Sequence, residues 1–189
     1  MTASELYALA DLSQTPLGIA ALDDLFCMGG PCGPYDRFLY HLAAKIKPTL
    51  LVELGSYRGY SAAHLAAGAP DCKVIAVEPY PQPHIFDILQ KYKNIDFRKD
   101  MSLSRSVLGS VADQSVDVCF VDTVHTEDYA VPEYVAWAPK MKPGGVMLYD
   151  DITIDDLMAV AWARIQALDD REKVSLPSLH YSGFGAILF

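Results

Sequence analysis

Short apolar runs and helical periodicities alternate along most of this chain. Thr49–Leu54, Val74–Val77, Ile95–Arg98, Val116–Val121 and Val146–Tyr149 are compact apolar segments bounded by turn residues, the pattern of strands buried on both faces. Between them, apolar positions recur at helical spacing. Tyr60–Ala67 reads as a helix closed by Gly68, and Ile85, Ile88, Leu89 and Tyr92 mark the next. Ser102–Leu108 and Asp128–Ala138 follow, with Pro132 compatible only with a first turn. Leu157, Val160, Ala161, Ile165 and Leu168 form the clearest stripe. The tail, Val174–Leu176 and Phe184–Phe189, reads as two last strands joined through Gly183.

Upstream the pattern is helical. Thr2 and Glu5 have capping-box spacing ahead of Leu6, Leu9 and Ala10. A loop rich in Gly and Pro, Met28 to Pro34, precedes Tyr35, Phe38, Leu39, Leu42 and Ile46, and Pro48 stops that periodicity. No internal repeat or linker interrupts the chain. The order predicts one doubly wound α/β domain with a mostly parallel sheet, residues 49–189, preceded by a helical lid segment, residues 1–48. In such sheets ligands bind beyond the carboxyl ends of the strands, so the residues that close each strand are the candidates for function.

The first of these strands runs into Glu53-Leu-Gly-Ser-Tyr-Arg-Gly-Tyr-Ser61, an E-x-G-x-x-x-G arrangement that differs from the dinucleotide G-x-G-x-x-G. Gly55 and Gly59 let backbone approach a ligand, and the helix that follows directs its N–H groups there. Glu53 places a carboxylate beside the loop, which suits an ammonium group better than a pyrophosphate. The next strand closes on Glu78, where a carboxylate can accept both hydroxyls of a ribose.

Over residues 50–152 the chain resembles the class I S-adenosylmethionine-dependent methyltransferases, through the Val52–Gly59 loop, Glu78 and the Lys142-Pro-Gly-Gly145 turn. The resemblance implies a seven-stranded Rossmann-like sheet with an antiparallel last strand, and S-adenosyl-L-methionine as cofactor. It implies that Glu53, Gly55, Ser56 and Gly59 hold the methionine moiety and that Asp100 contacts adenine. Tyr57, Ser61, Met101 and Asp122 complete the expected cofactor-binding set.

A second group of acids closes the later strands: Asp122 in Val-Asp-Thr-Val-His125, and Asp150 with Asp151 in Leu-Tyr-Asp-Asp. These strands are expected to be neighbours, which gathers three carboxylates at one edge of the cleft. Such hard oxygen donors suit Mg²⁺ or a similar divalent ion and leave positions for substrate oxygens. His125, near neutral in its ordinary titration, is a candidate general base, with Asp122 beside it. The same residues are similar to those of the catechol-type and macrocin-type metal-dependent O-methyltransferases, although a lysine stands at the position of His125 in the catechol group. The implied activity is transfer of a methyl group to a hydroxyl of a small molecule, a sugar or a phenol. A metal-independent methyltransferase relying on His125 is the alternative, as is a non-catalytic cofactor-binding domain. His41, His64, His84 and His180 show no ligand spacing and read as surface or packing residues.

Composition narrows the partners. The 189 residues carry a formal net charge of -9 with no long acidic block, a diffuse negative field that repels phosphate backbones and disfavours nucleic acid as partner. No Asn/Asp-Pro-Pro-aromatic stretch follows the fourth strand, which also disfavours amino methylation of a base. No apolar stretch is long enough for a membrane span, and the N-terminus has no basic region of a secretory signal. Four cysteines without a C-x-x-C pair fit a reducing cytoplasm, Cys119 being a buried thiol. The apolar Phe184–Phe189 segment is a candidate sheet edge for a second copy of the chain to cover, a route to a homo-oligomer that leaves the oligomeric state open.

Overall fold

A computed structural model describes residues 1–27 and 30–189. Met28 and Gly29 of the Gly/Pro loop lie outside the described residues. The apolar runs form the strands expected of them: β3 (Leu50–Leu54), β4 (Lys73–Val77), β5 (Ile95–Arg98), β6 (Val116–Val121) and β7 (Met141–Asp150) are mutually parallel. The antiparallel β8 (Lys173–Ser175) and β9 (Phe184–Leu188) complete a seven-stranded sheet in the order β5-β4-β3-β6-β7-β9-β8. β1 (Phe26–Cys27) and β2 (Gly30–Pro31) pair separately and antiparallel.

Helices cover both faces. On one lie α1 (Ala3–Leu12), α3 (Pro34–Ile46) and α4 (Tyr60–Gly68); α7 (Glu127–Trp137) and α8 (Asp156–Gln166) lie on the other. The short α2 (Ala20–Asp23), α5 (Ile85–Leu89) and α6 (Arg105–Gly109) link the strands and loops. The two-residue period of β6 divides its side chains between two cores. Val118 and Phe120 join Phe38, Leu65 and Phe184, while Cys119 and Val121 join Trp137, Tyr149 and Trp162. Full burial of each such side chain removes apolar surface worth roughly 1.5–3 kcal/mol. Thr2 accepts from the Glu5 amide at 3.2 Å and Glu5 from the Thr2 amide at 3.0 Å, the reciprocal cap that starts α1.

Several sequence expectations are corrected. β9 is interior, not an edge, because β8 pairs along its other side, and the open edges belong to β5 and β8. α8 buries Met158, Ala161, Trp162 and Ile165, while Leu157, Val160 and Leu168 face outward. Asp155 sets that phase as the N-cap, accepting from the Met158 amide at 2.8 Å. Pro132 lies within α7 beyond its first turn, where its missing N–H leaves the Asp128 carbonyl without the usual helical donor. Lys142–Gly145 is incorporated in a longer β7 across a register shift opposite Val116–Val118. Among the described residues, no helix is long and apolar enough to cross a membrane.

Candidate functional site

The carboxyl ends of β3, β4 and β6 converge on one cleft of about 310 Å³, floored by Gly55 and walled by Glu78, Met101, Asp122 and Tyr129. Its floor depends on two glycines. Gly55 has φ +92°, and the Asp122 main-chain carbonyl fills the place a Cβ would need, so the loop and the end of β6 touch backbone to backbone. Gly59, at φ +83°, caps α4 in a spot where a Cβ would stand 2.9 Å from Ile85.

The acids of this cleft are held differently. Glu53 is fully buried, and loss of hydration pushes its pKa up to about 7 against the opposing hydrogen bonds of Ser56 and Ser61. One of its oxygens accepts from the Ser56 hydroxyl, while Oε1 has no partner. Glu78 accepts the Tyr57 amide at 2.9 Å on Oε2 and the Tyr80 amide at 2.7 Å on Oε1. Each oxygen keeps a further lone pair, so the carboxylate is fixed yet able to accept hydroxyls. Asp100 departs from the expected arrangement. It is partly buried, accepts from Met101 N–H and the Ser106 hydroxyl, and stands outside the residues lining the cleft, whereas Met101 lines it.

At the adjoining edge, β6 and β7 bring Asp122, Asp150 and Asp151 together with two histidines. His125 Nε2 lies 3.4 Å from Asp122 Oδ1, and its Nδ1 lies 3.6 Å from Asp151 Oδ2. His180 Nδ1 lies 3.1 Å from Asp151 Oδ1 and 3.4 Å from Asp150 Oδ1. The acids therefore form two overlapping groups, Asp122–His125–Asp151 and Asp150–Asp151–His180, each able to offer one ligand atom per residue within 4.8 Å. Asp151 belongs to both. Its left-handed backbone, φ +58°, turns its side chain back into the site, and the Ser182 hydroxyl donates to it.

Charges within this cluster balance unevenly. The two carboxylates raise His180 to about 10 and so keep it cationic. Asp122 beside His125 raises that imidazole as well, against desolvation. Asp151 is lowered, its partners outweighing burial. At Asp150 burial outweighs the ion pair and lifts the carboxyl to about 7. The oxygen-rich donor set fits a hard divalent cation, with His125 beside Asp122 and Asp151 and the His180 cation balancing Asp150 and Asp151.

His180 corrects the sequence reading, which left it among surface or packing residues. It arrives through β9: Asp150 pairs with Phe184, and the Thr153 amide donates to the Ser182 carbonyl at 2.7 Å, folding the loop before β9 over the end of β7. A second residue without a sequence assignment is Glu133 on α7. Buried and raised by desolvation to about 7, it receives the Ser102 hydroxyl and, at 2.6 Å, the Thr123 hydroxyl, tying two wall residues of the cleft together. The signal was its spacing: Ala130, Glu133, Tyr134 and Trp137 form the buried face of α7, so a carboxylate occupies a core position.

Comparison with known proteins agrees with this architecture. Residues 52–152 match the family model described as a methyltransferase domain. No curated protein matches the chain by sequence. Among solved structures, a protein of Corynebacterium glutamicum is similar over 98% of this chain and 96% of its own, with TM-score 0.72 and 16% identity. The O-methyltransferase TomG of Streptomyces achromogenes, involved in tomaymycin synthesis and solved with S-adenosylmethionine, gives TM-score 0.64 at 18% identity, over 98% of this chain and 88% of its own. A putative caffeoyl-CoA O-methyltransferase of Staphylococcus aureus gives 0.66 at 14% identity, over 100% and 92%.

Proposed function

Because the chain belongs to the methyltransferase domain family, we propose that it transfers the methyl group of S-adenosyl-L-methionine to a hydroxyl oxygen of a small sugar or phenol, with a divalent cation held by Asp122, Asp150 and Asp151. The observation that carries this reading is the position of Asp122. Its carbonyl packs on the donor loop at Gly55, while its carboxylate faces His125 and the acids of β7. Donor and acceptor chemistry thus meet at one residue.

The sulfonium of the donor supplies an electrophilic methyl group. Glu53, with an unpartnered buried oxygen beside the loop, attracts the ammonium end, and Glu78 accepts the ribose hydroxyls on lone pairs its amide partners leave open. Met101 and Val124 supply apolar wall. Asp122, Asp150 and Asp151 would hold the divalent cation, which when bound would supply Lewis acidity that lowers the pKa of an acceptor hydroxyl. His125 receives the hydroxyl proton, and Asp122, 3.4 Å from its Nε2, stabilises the resulting imidazolium. His180 and Ser182 orient Asp151 and leave it acidic. The remaining contribution is in-line placement of nucleophile and methyl group.

A metal-independent reaction is favoured by one feature, the His180 cation already paired with Asp150 and Asp151. Calorimetric titration with S-adenosylhomocysteine and Mg²⁺, then methyl transfer to a panel of phenols and sugars with and without EDTA, separates these readings. Binding of both, and activity lost in EDTA, is the expected result. Nucleoside binding with EDTA-resistant activity selects the metal-independent reaction. Nucleoside binding with no transfer to any acceptor selects a binding domain, and no nucleoside binding overturns the proposal.

A further inference from the structure

Behind the cleft, where α3 packs on α4, three side chains of metal-ligating type meet in the interior. Cys32 just before α3, Asp36 in its first turn and His64 on α4 bring a thiol sulfur, a carboxylate oxygen and a ring nitrogen within 4.8 Å of one another. Cys32 is 3% exposed, and Asp36 and His64 are 0% exposed. From these residues we propose a buried zinc site, separate from the cleft, that fastens the N-terminal helices to the helix following the donor loop.

Two buried atoms point to an occupant. Asp36 Oδ1 and His64 Nε2 make no hydrogen bond, an arrangement interiors avoid unless something else satisfies them. The other atom of each side chain is already fixed. His64 Nδ1 lies 2.8 Å from the Tyr60 carbonyl, which can only accept, so Nδ1 carries a proton and the neutral ring offers its lone pair at Nε2. This is the backbone support that orients metal-bound imidazoles. Asp36 Oδ2 likewise accepts the Gly33 amide at 2.9 Å. The donors are one sulfur, one nitrogen and one oxygen, a set suited to Zn²⁺ and poorly suited to Mg²⁺. Zinc bonds of about 2.0–2.3 Å place tetrahedral ligands about 3.3–3.8 Å apart, so side-chain adjustments of roughly 1 Å close the site and leave a fourth position.

Its place in the fold gives the ion a consequence. Tyr35, next to Asp36, packs its ring 5.2 Å from that of His180, and α4 starts at Gly59 of the donor loop. An ion joining α3 to α4 therefore holds both halves of the cleft in register.

The test uses the full chain purified with Zn²⁺, desalted and assayed by elemental mass spectrometry, together with the absorption spectrum of the Co²⁺-substituted protein. Expected are one tightly held equivalent of zinc, a sulfur-to-cobalt charge-transfer band, and loss of the ion in Cys32→Ser and His64→Gln while Asp151→Asn retains it. The unaltered chain alone can overturn the proposal: no retained zinc, or a cobalt spectrum without thiolate character, means that a shared proton satisfies Asp36 and His64. Zinc retained by the Cys32 and His64 variants and lost from the Asp151 variant would assign the ion to the cleft, and that result also overturns it.

Discussion

The main-chain carbonyl of Asp122 stands in the place that a side chain on Gly55 would fill. The donor loop and the end of β6 therefore share a backbone contact that only glycine permits, at a φ of +92° that L side chains resist. Gly55→Ala is expected to cost roughly 2–4 kcal/mol from combined strain and overlap, and to abolish S-adenosylhomocysteine binding. Thermal unfolding and calorimetry check this, and an unchanged melting temperature would contradict it.

Glu53 ties stability to donor binding. Its folded pKa, about 7, lies above the ordinary 4.5 because burial penalises the charge. The raised value means that the folded state holds the proton more tightly. Stability from this group is fully present below about pH 4.5 and falls at about 1.4 kcal/mol per unit until pH passes about 7. Glu53→Gln should remove that slope, melt higher than the parent above about pH 7, and bind S-adenosylhomocysteine far more weakly there. Equal affinity in both proteins would remove Glu53 from the donor site.

His180→Asn leaves Asp150 and Asp151 without their cation. The apo variant should lose roughly 1–3 kcal/mol, and Mg²⁺ should raise its melting temperature more than it raises the parent's. The pair also sets an alkaline limit. With its folded pKa at about 10 against 6.5, His180 contributes stability that is fully present below about 6.5 and lost as pH rises through about 10. The variant should lack that alkaline decline. Parallel pH profiles would show that the pair contributes nothing.

Asp169 provides a control away from the cleft. It receives the Tyr134 hydroxyl, the Arg171 guanidinium and, at 3.0 Å, the Lys173 ammonium, joining α7 to the start of β8. Asp169→Ala should cost roughly 1 kcal/mol, less in high salt, with donor affinity unchanged. A large loss of S-adenosylhomocysteine binding would mean that the α7–β8 contact reaches the cleft.

The strands that position the site were legible because parallel strands buried on both faces read as largely apolar runs, as β3, β4 and β6 do despite Glu53, Lys73 and Asp117. Gly55 and Glu78 were legible for a related reason: the chain leaves such a sheet at its carboxyl ends, where the ligand stations lie. His180 was not, since antiparallel pairing of β9 with β7 brings it to Asp151 from far along the chain, and no local spacing encodes that pairing. Glu133 was hidden differently. A carboxylate reads as a solvated face until the residues around it, Ala130, Tyr134 and Trp137, are seen to be buried. The face of α8 was misjudged because Leu157 and Val160 are apolar yet outward, and the cap at Asp155 sets the phase.

The insertion of β9 between β7 and β8 also has a kinetic meaning. Until Phe184–Leu188 docks, the β7 backbone from Val146 to Asp150 presents unsatisfied hydrogen-bonding groups along an apolar ladder, a template for pairing between chains. The same docking carries His180 and Ser182 onto Asp151. Closure of the adhesive edge and completion of the acid cluster are thus one event, so a newly made chain gains its colloidal safety and its chemistry at the same moment.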